Sequence, residues 1–182
     1  MRIIGGAYRG RKLISPANKG IRPTSDRMRE TIFNILSHSG TGLEGARVLD
    51  VFAGSGAMGL EALSRGAAHV TFFDKDRSSL QLVKKNIALI GAGDKSKVKP
   101  VTAPTFPRAQ APYDFIFLDP PFDLNIIGDC LDRLYDNGYL ADDCMIVAEY
   151  APATLVTFPD YVEVIKEKTY GDARFSFLKR IS

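Results

Sequence analysis

The 182 residues are about one domain's worth of chain, long enough to bury roughly 70% of the surface that their unfolded form exposes. With 45% apolar and 25% charged residues, no apolar run near the roughly 18 residues of a membrane span and no apolar core to an N-terminal leader, a soluble globular protein is expected. The net charge of +3 hides an asymmetry: residues 1–30 hold eight Lys and Arg against two acids, net +6, and the remainder is net −3.

The basic segment comes first in the chain. Tyr8, Arg9, Arg11 and Lys12 lie among Gly5, Gly6 and Gly10, offering a stacking ring and phosphate-seeking cations to a polyanion. A turn-rich connection through Ser15-Pro16 and Asn18-Lys19-Gly20 follows. Thr24 or Ser25 then caps a helix whose stripe is Met28, Ile32, Ile35 and Leu36, with Arg27 and Arg29 on its flanks facing solvent or ligand.

Strand and helix alternate from there. Arg47 to Phe52 reads as a buried strand leading into Ala53-Gly54-Ser55-Gly56-Ala57-Met58-Gly59 and a helix to about Arg65. His69 to Phe73 is the next strand, ending in Asp74-Lys75-Asp76, and a helix from about Ser78 to Ile90 stops at Gly91 and Gly93. A short strand over Val98 to Val101 and a Pro-rich loop, Pro104 to Pro112, precede the apolar run Tyr113 to Leu118. A helix over Leu124 to Tyr135, a strand at Met145 to Ala148 and a hairpin of 162–166 with 175–178 turning at Gly171-Asp172 complete the chain. Such alternation predicts βαβ units, a parallel sheet and one domain, with residues 1–40 as a basic extension built of a hairpin plus a helix.

Gly54, Gly56 and Gly59 have the G-x-G-x-x-G spacing between a strand and a helix, where a ligand can approach the backbone closely. Asp74, twenty residues after Gly54, ends the second strand, where a carboxylate accepts ribose hydroxyls. These residues suit an adenosine cofactor and, alone, leave a nicotinamide dinucleotide open. Asp50 favours a cationic ammonium near the loop and would repel a pyrophosphate.

Asp119-Pro120-Pro121-Phe122 emerges where the fourth strand ends, the side on which open α/β sheets bind ligands. Two prolines stiffen the turn and remove two N–H donors, so it presents acceptors beside the flat face of Phe122. That suits a planar base carrying an exocyclic amine. Cys130 and Cys144 lack a metal-ligand spacing and His38 and His69 stand apart, so no metal is expected, and the cysteines read as reduced thiols of a cytoplasmic protein.

Asp50 with the glycine loop, together with the 119–122 tetrapeptide, resembles the S-adenosylmethionine-dependent amino-methyltransferases. Arg2-Ile3-Ile4-Gly5-Gly6, Arg9-Gly10-Arg11-Lys12-Leu13, Arg22-Pro23-Thr24-Ser25-Asp26-Arg27, Arg29-Glu30-Thr31 and Tyr170-Gly171-Asp172 narrow the resemblance, nearly end to end, to the RsmD family. It implies a Rossmann-like, three-layer α/β class I methyltransferase fold, whose seven-stranded sheet is mostly parallel and ends in an antiparallel hairpin. The implied activity is methylation of the N2 amine of a guanine in small-subunit (16S) ribosomal RNA. The implied partner is ribosomal RNA or the assembling subunit, and a monomer is expected.

The resemblance places S-adenosylmethionine at Asp50, Phe52, Gly54, Ser55, Gly56, Asp74, Lys75, Thr102 and Ala103. It places RNA at Arg2, Tyr8, Arg9, Arg11, Lys12, Arg22, Arg27 and Arg29, and the chemistry at Asp119, Pro120, Pro121 and Phe122. Thr102 departs from the family's Asp or Asn, so the backbone near Ala103 is left as a donor to the adenine. Two alternatives stand: an adenine- or cytosine-directed amino-methyltransferase, and a non-catalytic RNA-binding module. The lack of a separate DNA-reading domain speaks against the first, and the intact Gly54, Gly56, Asp74 and Asp119 speak against the second.

Overall fold

The computed structural model describes residues 1–17, 24–40 and 42–181. Its elements run α1 (Asp26–Ser37), β1 (Arg47–Asp50), α2 (Ala57–Ser64), β2 (His69–Asp74), α3 (Arg77–Ile90), a 3-10 turn (Gly93–Lys95), β3 (Ser96–Pro100), β4 (Tyr113–Leu118), α4 (Ile127–Asp136), β5 (Leu140–Tyr150), β6 (Val162–Tyr170) and β7 (Ala173–Arg180). The seven strands form one sheet in the order β3-β2-β1-β4-β5-β7-β6, a Rossmann-like α/β arrangement. Two compact units divide the chain, Met1–Pro100 and Val101–Ser182. The first holds 17 Lys and Arg against 8 Asp and Glu, net +9; the second holds 7 against 13, net −6. No helix among the described residues is long and apolar enough to cross a membrane.

In the first unit β1, β2 and β3 are parallel, with Val48 opposite Val70 and Phe72 opposite Val98. Val48, Leu49, Val70 and Phe72 are fully buried, and α2 packs on β1 and β2. Gly59 allows that packing: a Cβ there would lie 2.3 Å from the Phe72 ring, so only glycine lets the helix come this close to the sheet. The Asp76 side chain caps α3 by accepting from Ser79 N at 2.8 Å, and Gly91 closes the helix in the left-handed region. Ser25, one of the two expected caps, accepts from Met28 N and starts α1. The expected hairpin at the N-terminus is a single antiparallel bridge, Arg2 to Lys12.

Strand β1 ends two residues sooner than the sequence pattern suggests, both hairpin strands run longer, and three further boundaries differ. β3 begins two residues earlier than expected because Lys97 and Lys99 interrupt the apolar run of a sparsely buried strand. β5 extends well beyond Met145–Ala148; its first residues include exposed Asp142 and Asp143, and its pairing with β4 shifts register before Met145. α4 starts at Ile127 because residues 121–124 are a turn, closed by Leu124 N donating to the Pro121 carbonyl at 2.9 Å.

In the second unit β4 and β5 are parallel, with Phe117 opposite Val147 and Leu118 opposite Ala148. The buried runs Phe115–Leu118 and Cys144–Ala148 form its core with Phe175, Phe177 and Leu178 of β7. β7 is antiparallel to both β5 and β6, and the two-residue turn Gly171-Asp172 closes the β6–β7 hairpin as its chemistry predicts.

Candidate active site

The glycine loop occupies the connection between β1 and α2. Gly54 and Gly56 have φ of +55° and +81°, so neither can be replaced by a residue with a Cβ without strain. A Cβ on Gly54 would meet nothing within 4 Å, which leaves open space over the loop for a ligand. Asp74 anchors the loop from the end of β2: Oδ2 accepts from Gly54 N and Oδ1 from Asp76 N, both at 2.9 Å. Each carboxylate oxygen carries two lone pairs, so the half-buried Asp74 retains acceptor capacity toward a diol. Asp50 is buried and accepts from Gly59 N at 3.1 Å, tying the end of β1 to the first turn of α2. Loop, diol acceptor and carboxylate are the parts that an adenosine bearing an amino-acid tail requires, and they fit that group.

The N-terminal segment is fastened to the same unit by a row of backbone hydrogen bonds together with the buried side chains of Ile3 and Leu13. Ile4 N and Gly5 N each donate to Glu61 at 2.9 Å, one to each carboxylate oxygen, and Arg65 Nε reaches Glu61 at 2.8 Å. Tyr8 N donates to Ser64 Oγ and Ala7 N to the Ser64 carbonyl. At Gly6 the chain presses so close to α2 that a Cβ would sit 1.8 Å from that carbonyl. Arg2, Arg9, Arg11 and Lys12 remain exposed, and Arg11 Nη1 also donates to the Leu89 carbonyl near the end of α3.

In the second unit Asp119 follows directly on β4, and the register of Leu118 with Ala148 brings it beside Glu149 of β5. The two carboxyls share a hydrogen bond, and burial first, then the Glu149 charge, raises Asp119 well above the ordinary carboxylate range. Pro120 and Pro121 supply no N–H, the turn closes on the Pro121 carbonyl rather than that of Pro120, and Phe122 lies 36% exposed beside them. Both cysteines are buried, and burial pushes the Cys130 thiol up to about 12, which removes it as a nucleophile at neutral pH. Among the described residues no three His, Cys, Asp or Glu side chains gather to hold a metal.

The profile of a family described as "Conserved hypothetical protein 95" matches residues 1–179. Ribosomal RNA small subunit methyltransferase D of Escherichia coli K12 is 40% identical over 181 residues, covering 99% of this chain and 90% of its own. The protein of the same name from Haemophilus influenzae is 37% identical over 175 residues, covering 94% and 89%. The chain belongs to the RsmD family. The solved structure of yhhF from Escherichia coli superposes on this RsmD-family fold with a TM-score of 0.88 at 40% identity, covering 100% of this chain and 98% of that one.

Of the residues that the sequence singles out, the RsmD-family fold gathers Phe52, Gly54, Ser55 and Gly56 on one loop with Asp50 and Asp74 at its edges, and leaves Lys75 exposed. Thr102 and Ala103 stand in a turn of the second unit, where the Thr102 carbonyl accepts from Thr105 N and its side chain is exposed. Arg27 is exposed, whereas Arg22 lies outside the described residues.

Arg29 is not on an open flank of α1. It is 1% exposed, its guanidinium donating to the carbonyls of Arg2 and Thr24 and to Asp26, so it organises the basic segment from within. Four residues escape a reading of the sequence: Glu61, Ser64 and Asn86, which hold the N-terminal segment, and Glu149. A second basic group escapes it too. Residues 77–99 hold Arg77, Lys84, Lys85, Lys95, Lys97 and Lys99 against Asp94 alone, a signal visible in the sequence but averaged away by the acidic second half.

Proposed function

We propose that this protein transfers a methyl group from S-adenosylmethionine to the exocyclic N2 amine of a guanine in 16S ribosomal RNA, acting in the cytoplasm. The observation that carries this reading is the acceptor-only turn Asp119-Pro120 beside an exposed aromatic face, in a chain whose relatives are named ribosomal RNA small subunit methyltransferases along nearly its whole length. The glycine loop with Asp74 and Asp50 would hold the cofactor, which supplies a methyl already activated on its sulfonium.

The protein's own task is then alignment and charge. Holding nucleophile and methyl in line can supply roughly 7 to 11 kcal/mol of the barrier. A guanine N2 lone pair is delocalised into its ring and attacks poorly. Asp119 and the Pro120 carbonyl accept its two N–H bonds, favouring a tetrahedral nitrogen and stabilising the positive charge that grows there. Asp119, hydrogen-bonded to Glu149, offers carboxylate lone pairs to the amine, and the proton that the methylated nitrogen releases passes to it or to water. Phe122 stacks on the base, worth about 1 to 3 kcal/mol, once the nucleotide is unpaired or flipped out. Arg2, Arg9, Arg11 and Lys12, with the lysines of α3 and β3, meet the surrounding phosphates.

The test is transfer from radiolabelled S-adenosylmethionine to undermethylated ribosomal RNA, free and in small subunits, beside duplex DNA, followed by digestion to nucleosides. Label in N2-methylguanosine is the expected result. Label in methyladenosine or in DNA would replace the guanine assignment, and no transfer despite cofactor binding would favour a binding module.

A further inference from the structure

Both legs of the N-terminal segment end at one residue of the glycine loop. The segment doubles back on itself: Ile3 N donates to the Arg11 carbonyl, Gly10 N to the Ile3 carbonyl and Leu13 N to the Met1 carbonyl, at 2.9 to 3.1 Å. At the end of the first leg, Met1 Sδ lies 3.6 Å from Ser55 Oγ. At the end of the second, Ile14 reaches Ser55 through one side chain, that of Asn86. Asn86 Oδ1 accepts from Ile14 N at 2.7 Å, and its Nδ2 donates to the Ile14 carbonyl at 3.0 Å and to the Ser55 carbonyl at 2.9 Å. Asn86 is fully buried on α3 and none of these side-chain hydrogen bonds goes to its own helix. A buried amide with one acceptor and two donors all committed has a single arrangement, and shifting either Ile14 or Ser55 leaves polar groups orphaned.

We propose that Asn86 is a positioning residue that couples the basic N-terminal segment to the cofactor loop, so that RNA held on residues 2–12 and cofactor held on residues 54–56 strengthen each other's binding. The proposal rests on the reading of those two stretches as the RNA and cofactor contacts. Its physical content is that each ligand fixes one end of the Ile14–Asn86–Ser55 chain and thereby lowers the ordering cost left to the other. Linkage makes the effect reciprocal: the factor by which RNA tightens the cofactor equals the factor by which the cofactor tightens RNA.

The experiment uses the full chain and S-adenosylhomocysteine, which binds without turnover. Its dissociation constant is measured by calorimetry with and without a saturating ribosomal RNA fragment, and that of the RNA with and without saturating S-adenosylhomocysteine. In the unaltered protein both should tighten by one common factor of at least about fivefold, the lower end of typical coupling. In Asn86→Ala each ligand should still bind alone, with the common factor reduced to less than about twofold.

A wild-type factor near one overturns the proposal, as does a factor that survives in Asn86→Ala, which would trace the linkage to direct contact between the ligands. Should the variant fail to fold, amide exchange at residues 54–59 of the unaltered protein decides: RNA alone must slow it, and unchanged exchange refutes the coupling. Failure of RNA to bind at all would instead refute the RNA reading, a result distinct from binding without linkage.

Discussion

Glu61→Gln tests whether one buried carboxylate fastens the N-terminal segment. Glu61 is 0% exposed and meets three donors: Ile4 N on one oxygen, Gly5 N and Arg65 Nε on the other. Glutamine fills the same volume but replaces one oxygen by an amino group. In its better orientation it keeps Gly5 and Arg65 and turns a donor toward Ile4 N, a loss of about 1 to 3 kcal/mol for the amide left without an acceptor. The two surviving bonds fall from charge-assisted to neutral strength, adding about 1 kcal/mol. The expected loss in urea denaturation is therefore about 2 to 4 kcal/mol. If the segment detaches before the whole chain unfolds, the loss will be smaller and will appear instead as faster amide exchange at Ile3, Ile4 and Gly5. A loss below about 0.5 kcal/mol with unchanged exchange at those amides would refute the assignment of Glu61 as the fastening point.

Other outcomes follow from the two units. Asp119→Ala should abolish transfer and leave S-adenosylhomocysteine affinity within a few-fold; wild-type turnover would remove its catalytic role. Asp119 is raised in the fold, by burial first and then by Glu149, so transfer that needs its carboxylate should have an acid limb above the ordinary carboxylate range, and Glu149→Gln should move that limb to lower pH. On stability the sign is opposite: the folded chain binds this proton more tightly than the unfolded one. Its contribution is full below the ordinary carboxylate range and is lost as pH rises through the folded value, less steeply in Glu149→Gln, as urea titrations across pH would read. Gly59→Ala places a methyl 2.3 Å from Phe72 and should cost about 1 to 3 kcal/mol by overpacking, against a helix-propensity gain of up to about 1; a stabilised variant in thermal unfolding would contradict the tight packing. Replacing Lys84, Lys85, Lys97 and Lys99 by Gln should flatten the salt dependence of RNA binding, the log–log slope falling by about 1 for each phosphate no longer neutralised, and an unchanged slope would take those lysines off the RNA.

What the sequence discloses is what lies close along the chain. The glycine spacing before α2, the acid ending β2, the capping Ser25 and the Gly171-Asp172 turn each act within a few residues of themselves, or at a spacing that βαβ geometry dictates. Glu61 and Asn86 reach the N-terminal segment across 56 to 72 residues, and within their own helices they look like an ordinary acid and an ordinary amide. Glu149 gains its meaning only from the β4–β5 register, which periodicity does not supply. Arg29 is misplaced by a helical wheel, which assigns any cation to solvent, whereas here two backbone carbonyls and Asp26 make a polar socket for it. Charge averaged over the chain conceals the contrast between its two units, one net +9 and the other net −6.

The N-terminal segment is gripped through peptide groups: Ile4, Gly5, Ala7, Tyr8 and Ile14 all offer their backbone amides to α2 and α3. Attachment of this kind is indifferent to the exposed side chains that make no contact, provided that Gly6 stays small and Ile3 and Leu13 stay apolar. Positions 9 and 12 can therefore drift in charge and size without loosening the scaffold, whereas Arg2 and Arg11 also reach Asp26 and the Leu89 carbonyl, and selection can retune the affinity for a polyanion while most of the docking is inherited intact.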